Sequence, residues 1–152
     1  RVFTGDKSSD FLYKCLFNAK ISNQSTSNHV NDGLKLKEAF ITPALKCVPP
    51  EDKPLKIELN NCSKFFNNEL NILKNLKVVV ALGKIAFDTC KIFYKDKFDV
   101  PKDFQFGHGK IYKLANGVKL VGCYHPSPRN VNTGRINVKM MTDLFIKIKK
   151  LN

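Results

Sequence analysis

Val78-Val79-Val80-Ala81-Leu82-Gly83 is an unbroken apolar run closed by a glycine, and Lys84 to Tyr94 behind it repeats apolar residues at helical spacing. A strand apolar on both faces belongs inside a parallel sheet, where neither face meets water. The strand passes straight into a helix, which makes the pair half of a βαβ unit. Downstream, Lys110 to Leu114 and Val118 to Tyr124 flank Asn116-Gly117, a dipeptide that accepts the positive φ of a tight hairpin. Upstream, Pro54 at a helix N1 position opens an amphipathic segment through Ile57, Cys62, Phe65, Phe66, Leu70 and Leu73. Leu34, Leu36 and the run Ala39 to Leu45 look like strand material, with Cys47 at its end ahead of Val48-Pro49-Pro50. Near the start, Phe11, Leu12, Cys15, Leu16 and Ala19 form a helical stripe that Ser8, Ser9 or Asp10 can cap. Val138, Met141, Leu144, Phe145 and Ile148 close the chain as a basic helix. Strands and helices alternate, so the predicted fold is α/β. It is a three-layer α/β/α sandwich with a central, largely parallel sheet, as one domain over residues 1–152.

Composition narrows the class. The chain has 152 residues, 43% of them hydrophobic, enough for a sizeable core. No run approaches the ~20 apolar residues of a membrane span. The formal net charge is +13, with 26 basic residues spread along the chain against 13 acidic ones, which points to a polyanionic partner such as nucleic acid. The plainer reading of that charge is a lysine-rich proteome. Five cysteines and no secretory signal favour an intracellular protein whose cysteines are thiols or metal ligands. The chain opens at Arg1 without a methionine, as the middle of a longer protein would.

Ligands of parallel α/β sheets collect at the carboxyl ends of the strands. Three loops are candidates for such a rim: Phe3 to Asp6, Cys47 to Pro54, and His125 to Arg135. The last holds an imidazole, two prolines, two amides and two guanidiniums in Tyr124-His125-Pro126-Ser127-Pro128-Arg129-Asn130-Val131-Asn132-Thr133-Gly134-Arg135. Prolines fix the backbone where a flexible loop would blur the position of a reactive side chain. Asp6, just ahead of a helix, has the ordinary alternative of capping it. Residues 22–33 read as a polar loop in which His29 is solvated.

Phe3-Thr4-Gly5-Asp6, Ile41-Thr42-Pro43-Ala44-Leu45-Lys46-Cys47-Val48-Pro49-Pro50, Val78 to Gly83, and His125-Pro126-Ser127-Pro128-Arg129-Asn130 with Thr133-Gly134-Arg135 together resemble the iron-sulfur uracil-DNA glycosylases. The likeness is to their type 5, or B-type, branch, and the blocks run over nearly the whole chain in order. The resemblance implies an α/β/α fold, hydrolysis of the N-glycosidic bond of uracil in DNA, tolerance of other deaminated bases such as hypoxanthine, and a [4Fe-4S] cluster. It further implies roles for particular residues. Phe3 would stack on the flipped base, although one of twelve phenylalanines is by itself most simply core. His125 would donate toward the uracil carbonyl, and Asp6 would stabilise the cationic sugar and orient water. Asn130 would read the base edge. Ser127 and Arg135 would hold DNA phosphates, and Arg129 would wedge into the vacated stack; both arginines have the alternative of being solvated surface charges.

In this family two cysteines placed like Cys47 and Cys62 are half of the cluster's ligands. The other two lie in a preceding segment, so only two of four ligands are expected here, with Cys15, Cys90 and Cys123 in the core. Two departures stand out. Asp52 occupies the place where the branch has a base-reading asparagine, and the family's first motif would fall before Arg1, leaving the domain incomplete at its N-terminal side. The resulting expectation is a monofunctional glycosylase, monomeric and intracellular, with no membrane partner, acting on double-stranded DNA that contains uracil or deaminated bases. No lysine stands in a matched position for lyase chemistry. The other reading is a nucleic-acid-binding module that keeps the fold without catalysis; a thiol-based redox or metal-handling protein rests on the cysteines alone.

Overall fold

The computed structural model describes residues 1–46, 54–95, 97–98, 101 and 103–151. The elements in chain order are α1 (Lys7–Asn18), α2 (Lys56–Ile72), β1 (Val78–Leu82), α3 (Lys84–Lys95), β2 (Ile111–Lys113), β3 (Lys119–Cys123), α4 (Pro128–Asn132) and α5 (Val138–Lys149). The architecture is α/β, and the chain divides into two compact units, Arg1–Ile41 with Cys123–Asn152, and Thr42–Gly122.

In the first unit α1 lies against α5. Leu12, Cys15 and Leu16 of α1 and Met141, Leu144, Phe145 and Ile148 of α5 are all buried, as their helical spacing dictates. Asn137 caps α5 by accepting from the Met140 N–H at 2.9 Å. The strand expected at Leu34, Leu36 and Ala39 to Leu45 is absent. Its region keeps one isolated bridge, Ser22 to Leu36, and Leu34, Leu36, Ala39, Phe40 and Ile41 line a cleft of about 320 Å³ instead.

The second unit holds the sheet, in the order β1-β3-β2. β3 has parallel pairing on one side and antiparallel pairing with β2 on the other, in the register Ile111↔Val121, Tyr112↔Leu120 and Lys113↔Lys119. Among the described residues the sheet is therefore smaller and more mixed than the strand count in the sequence implied. Asn116-Gly117 makes the hairpin turn: Gly117 sits at φ 83°, and the Asn116 side chain accepts from the Val118 N–H at 3.2 Å. Glu58 reaches back to the Leu55 N–H at 2.7 Å and closes the start of α2, so Pro54 precedes that helix rather than opening it.

Aromatic side chains fill the core of this unit. Phe87 of α3 is fully buried and its ring lies 5.3 Å from Phe104, 5.7 Å from Phe106 and 5.9 Å from Tyr112. The Tyr112 hydroxyl, carried into that core, donates to the Gln105 carbonyl at 2.7 Å and accepts from the Gln105 N–H at 3.1 Å, as a buried polar group requires. Gly122 has a steric reason to be glycine, since a Cβ there would stand 2.4 Å from the Gly107 carbonyl oxygen. Gly122→Ala is expected to destabilise the protein by about 1–3 kcal/mol, as overpacking against rigid backbone does. Urea unfolding measures it, and an unchanged midpoint contradicts the close approach.

Candidate active site

The turn before α1 is built by short-range chemistry. Asp6 is the N-cap: its Oδ1 accepts from the Ser9 N–H at 2.6 Å, and its own N–H donates to Ser9 Oγ at 3.1 Å, a reciprocal capping box. The ordinary capping role is thus real. Ahead of it Gly5 takes φ 73°, which glycine adopts freely, and Phe3 takes φ 53°, which it does not. A non-glycine residue held there costs on the order of 1 kcal/mol or more and persists only when its surroundings impose it.

What surrounds Phe3 is the second loop. Its ring lies 5.7 Å from the His125 imidazole, tilted by 35°. His125 follows β3, and Pro126 behind it is fully buried. One N–H of the Asn130 amide donates to the His125 carbonyl at 2.9 Å and closes the loop on itself. Ser127 caps α4 by accepting from the Asn130 N–H at 3.4 Å, with Pro128 at the N1 position. The sequence reading expected a proline-fixed loop here and did not predict this short helix.

His125 is half-buried, and burial pushes its pKa below the ordinary 6.5 while the Asp6 carboxylate pulls it back up. Burial wins, so the ring is neutral near pH 7 and carries one N–H to donate. That the imidazole feels Asp6 also means that Phe3, Asp6 and His125, from the two ends of the chain, occupy one neighbourhood.

Arg129 and Arg135 are exposed. The Arg135 guanidinium stacks 4.7 Å from the Tyr124 ring centroid, which holds it in place without neutralising it. Around residues 27–32 lies a network that sequence reasoning passed over. Ser27 is completely buried, Gly5 donates to its carbonyl at 2.8 Å, and Arg1 pairs with both Asp32 oxygens at 2.8 Å. The available signal was Asn31-Asp32-Gly33, a turn in which an aspartate can gather backbone N–H groups.

Cys62 lies in the second unit, on α2, buried, with its sulfur accepting from the Lys46 N–H at 3.4 Å. The Lys46 ammonium grips the Glu69 carboxylate at 2.6 and 2.8 Å, and Thr42 donates to the same group at 2.6 Å. Partial burial would raise the Glu69 pKa, but these two partners outweigh it and lower it. Cys47 and Asp52 lie outside the described residues. Burial raises the other thiols, Cys15 to about 11 and Cys90 and Cys123 to about 12, which disfavours the thiolate form a metal binds. Among the described residues no three His, Cys, Asp or Glu side chains group as metal ligands would. A four-thiolate set does not fit these residues.

A family model described as the uracil DNA glycosylase superfamily matches residues 1–149. Type-5 uracil-DNA glycosylases are among the similar proteins. That of Mycobacterium bovis is 38% identical over 99% of this chain and 56% of its own length. That of Pyrobaculum aerophilum is 38% identical over 95% of this chain and 61% of its own. That of Thermus thermophilus is 36% identical over 99% and 67%. The chain thus spans little more than half the length of the mycobacterial relative.

The imidazole gives a direct test. Because folding depresses the His125 pKa, its contribution to stability is complete above the unfolded value of about 6.5 and is lost as pH falls through the folded one. NMR titration is expected to place the His125 midpoint below 6.5. Asp6→Asn keeps the cap but removes the charge, and should move that midpoint lower still. A midpoint that rises, or stays fixed, contradicts the proximity of the two groups.

Proposed function

The chain belongs to the uracil DNA glycosylase superfamily, and we propose that it is a monofunctional DNA-repair glycosylase that flips uracil out of duplex DNA and hydrolyses the N-glycosidic bond. The observation that carries this reading is the Phe3 ring set 5.7 Å from a half-buried His125 imidazole, with the Asp6 carboxylate close enough to act on it. A base drawn from the stack needs a flat apolar surface to replace its neighbours, and unstacking costs a few kcal/mol. Phe3 provides that surface.

As the bond breaks, its electron pair leaves with the uracil and the sugar becomes cationic. His125, neutral, donates an N–H to the carbonyl where negative charge gathers, a contribution of about 3–4 kcal/mol for one well-placed donor. Asp6 faces the sugar, stabilises the cation and orients the water whose oxygen bonds to C1′, and the proton that water loses ends on the departing uracil anion. One Asn130 N–H is engaged on the His125 carbonyl, so Asn130 offers the base its amide oxygen, an acceptor for a ring N–H. Ser127 and Arg135 hold phosphates, and Arg129 enters the gap left by the base. Asp52 joins the base-reading residues and bears on whether other deaminated bases such as hypoxanthine are accepted. The net charge of +13 suits a polyanionic partner. The protein works as a monomer inside the cell.

Cys47 and Cys62 would supply two thiolates to a [4Fe-4S] cluster, and the remaining two would have to come from residues other than these 152. No chemical step depends on it.

The test is release of free uracil from a U·G duplex. His125→Ala is expected to slow it about 10²- to 10³-fold. Asp6→Asn, which preserves the helix cap, should also slow release while duplex affinity is kept. Unchanged rates in both variants refute the assignment. Salt-sensitive DNA binding with no base released from any deaminated duplex would make the protein a non-catalytic nucleic-acid-binding module.

A further inference from the structure

A turn that places a stacking ring and a carboxylate cannot hold itself when one residue in it has unfavourable backbone angles. Within the turn Phe3, at φ 53°, is bridged by one long hydrogen bond, from Arg1 Nε to Thr4 Oγ1 at 3.4 Å, and α1 is already capped by Asp6 and Ser9. The restraint comes from the loop that follows α1. The Gly5 N–H donates to the Ser27 carbonyl at 2.8 Å, and the Thr4 and Ser27 hydroxyls bond each other at 3.1 Å. The Arg1 guanidinium donates to Ser27 Oγ at 3.0 Å, to the His29 carbonyl at 2.7 Å and to both Asp32 oxygens at 2.8 Å. Asp32 in turn accepts from the Asn28 N–H at 2.7 Å and the Leu34 N–H at 3.0 Å, which fixes the loop's own shape. These bonds end on residues 1, 4 and 5, either side of Phe3.

We propose that Ser27 and Asp32 are positioning residues for base excision: their loop clamps the Phe3 to Asp6 turn against His125. The proposal rests on the reading of that site as a glycosylase centre. Neither residue touches the substrate. Ser27 is wholly buried, and Asp32 carries a side chain only 7% exposed, so this is not the solvated surface its polar composition implied. The clamp acts on geometry, which for a reacting group displaced by about 1 Å is worth up to 10²-fold in rate.

Ser27→Ala, Asp32→Asn and Asp32→Ala in the full-length protein test it, each followed in three ways. The single-turnover rate of uracil release is expected to fall about ten- to a hundredfold, with duplex Kd and melting temperature little changed. Asp32→Asn, which keeps one acceptor oxygen, for either the Asn28 or the Leu34 N–H but not both, should lose less than Asp32→Ala. In the ligand-free protein the His125 ring resonances should shift, as the Phe3 ring ceases to be held 5.7 Å from the imidazole. Unchanged His125 resonances in the Asp32 variants overturn the proposal. So does a rate loss that only follows a fall in melting temperature. If Ser27→Ala fails to fold, the Asp32 pair decides. If the unaltered protein releases no uracil, the glycosylase reading fails, and the His125 resonances still decide the clamp.

Discussion

The contact between the Phe3 ring and the His125 imidazole is the constraint on which the first unit turns. It requires a left-handed Phe3, a left-handed Gly5 beside it and a His125 loop stiffened by Pro126 and by the Asn130 amide. The left-handed Phe3 is unfavourable alone. It is tolerated in a unit where α1 and α5 share a buried apolar face, which fixes the start of α1 that its turn adjoins. Burial of tens of square ångströms per side chain, at about 25 cal/mol per Å², readily outweighs the strain of one residue. The core therefore carries the local cost of the site.

The second unit solves a different problem with other means. Among the described residues its sheet is short and has three strands, and a sheet of that size needs a packed apolar face to be stable. The aromatic cluster around Phe87 supplies the missing area, and edge-on packing of rings such as Phe104 on Tyr112, 4.7 Å apart, adds to it. Gly122 lets a loop carbonyl approach β3 where any side chain would stand in the way. The Lys46 to Glu69 pair ties the stretch ahead of Cys47 to α2, and the main-chain bond from Lys46 to the Cys62 sulfur repeats the tie.

Features set by local chemistry were legible in the sequence. The apolar run at Val78, the helix behind it, the Asn116-Gly117 hairpin and the stripes of α1 and α5 all follow from periodicity or turn geometry, and all stand where expected. Leu34 to Ile41 misled because β-prone residues form a strand only when a partner strand is offered. Here they meet Tyr13 and Val2 across a cleft instead. Phe3, Asp6 and His125 were placed together through resemblance, since nothing in their spacing joins residues more than a hundred positions apart. Ser27 and Asp32 were passed over because their partners Arg1 and Thr4 lie across α1, at separations of 23 to 31 positions. A serine in a polar loop looks solvated until the arginine and threonine that bury it are known.

Asp6 shows why a capping role and a catalytic role need not compete. An uncapped carboxylate on a loop would sample many rotamers, and its average position would be of little use to a reaction sensitive to ångströms. Tying Oδ1 to the Ser9 N–H spends one lone pair, and a carboxylate has about four acceptor sites. The helix then presents the remaining acceptors from a rigid mount, the arrangement that favours precise sites over loop-borne ones. The capping box thus holds the Asp6 carboxylate still, which is compatible with the catalytic role proposed for it.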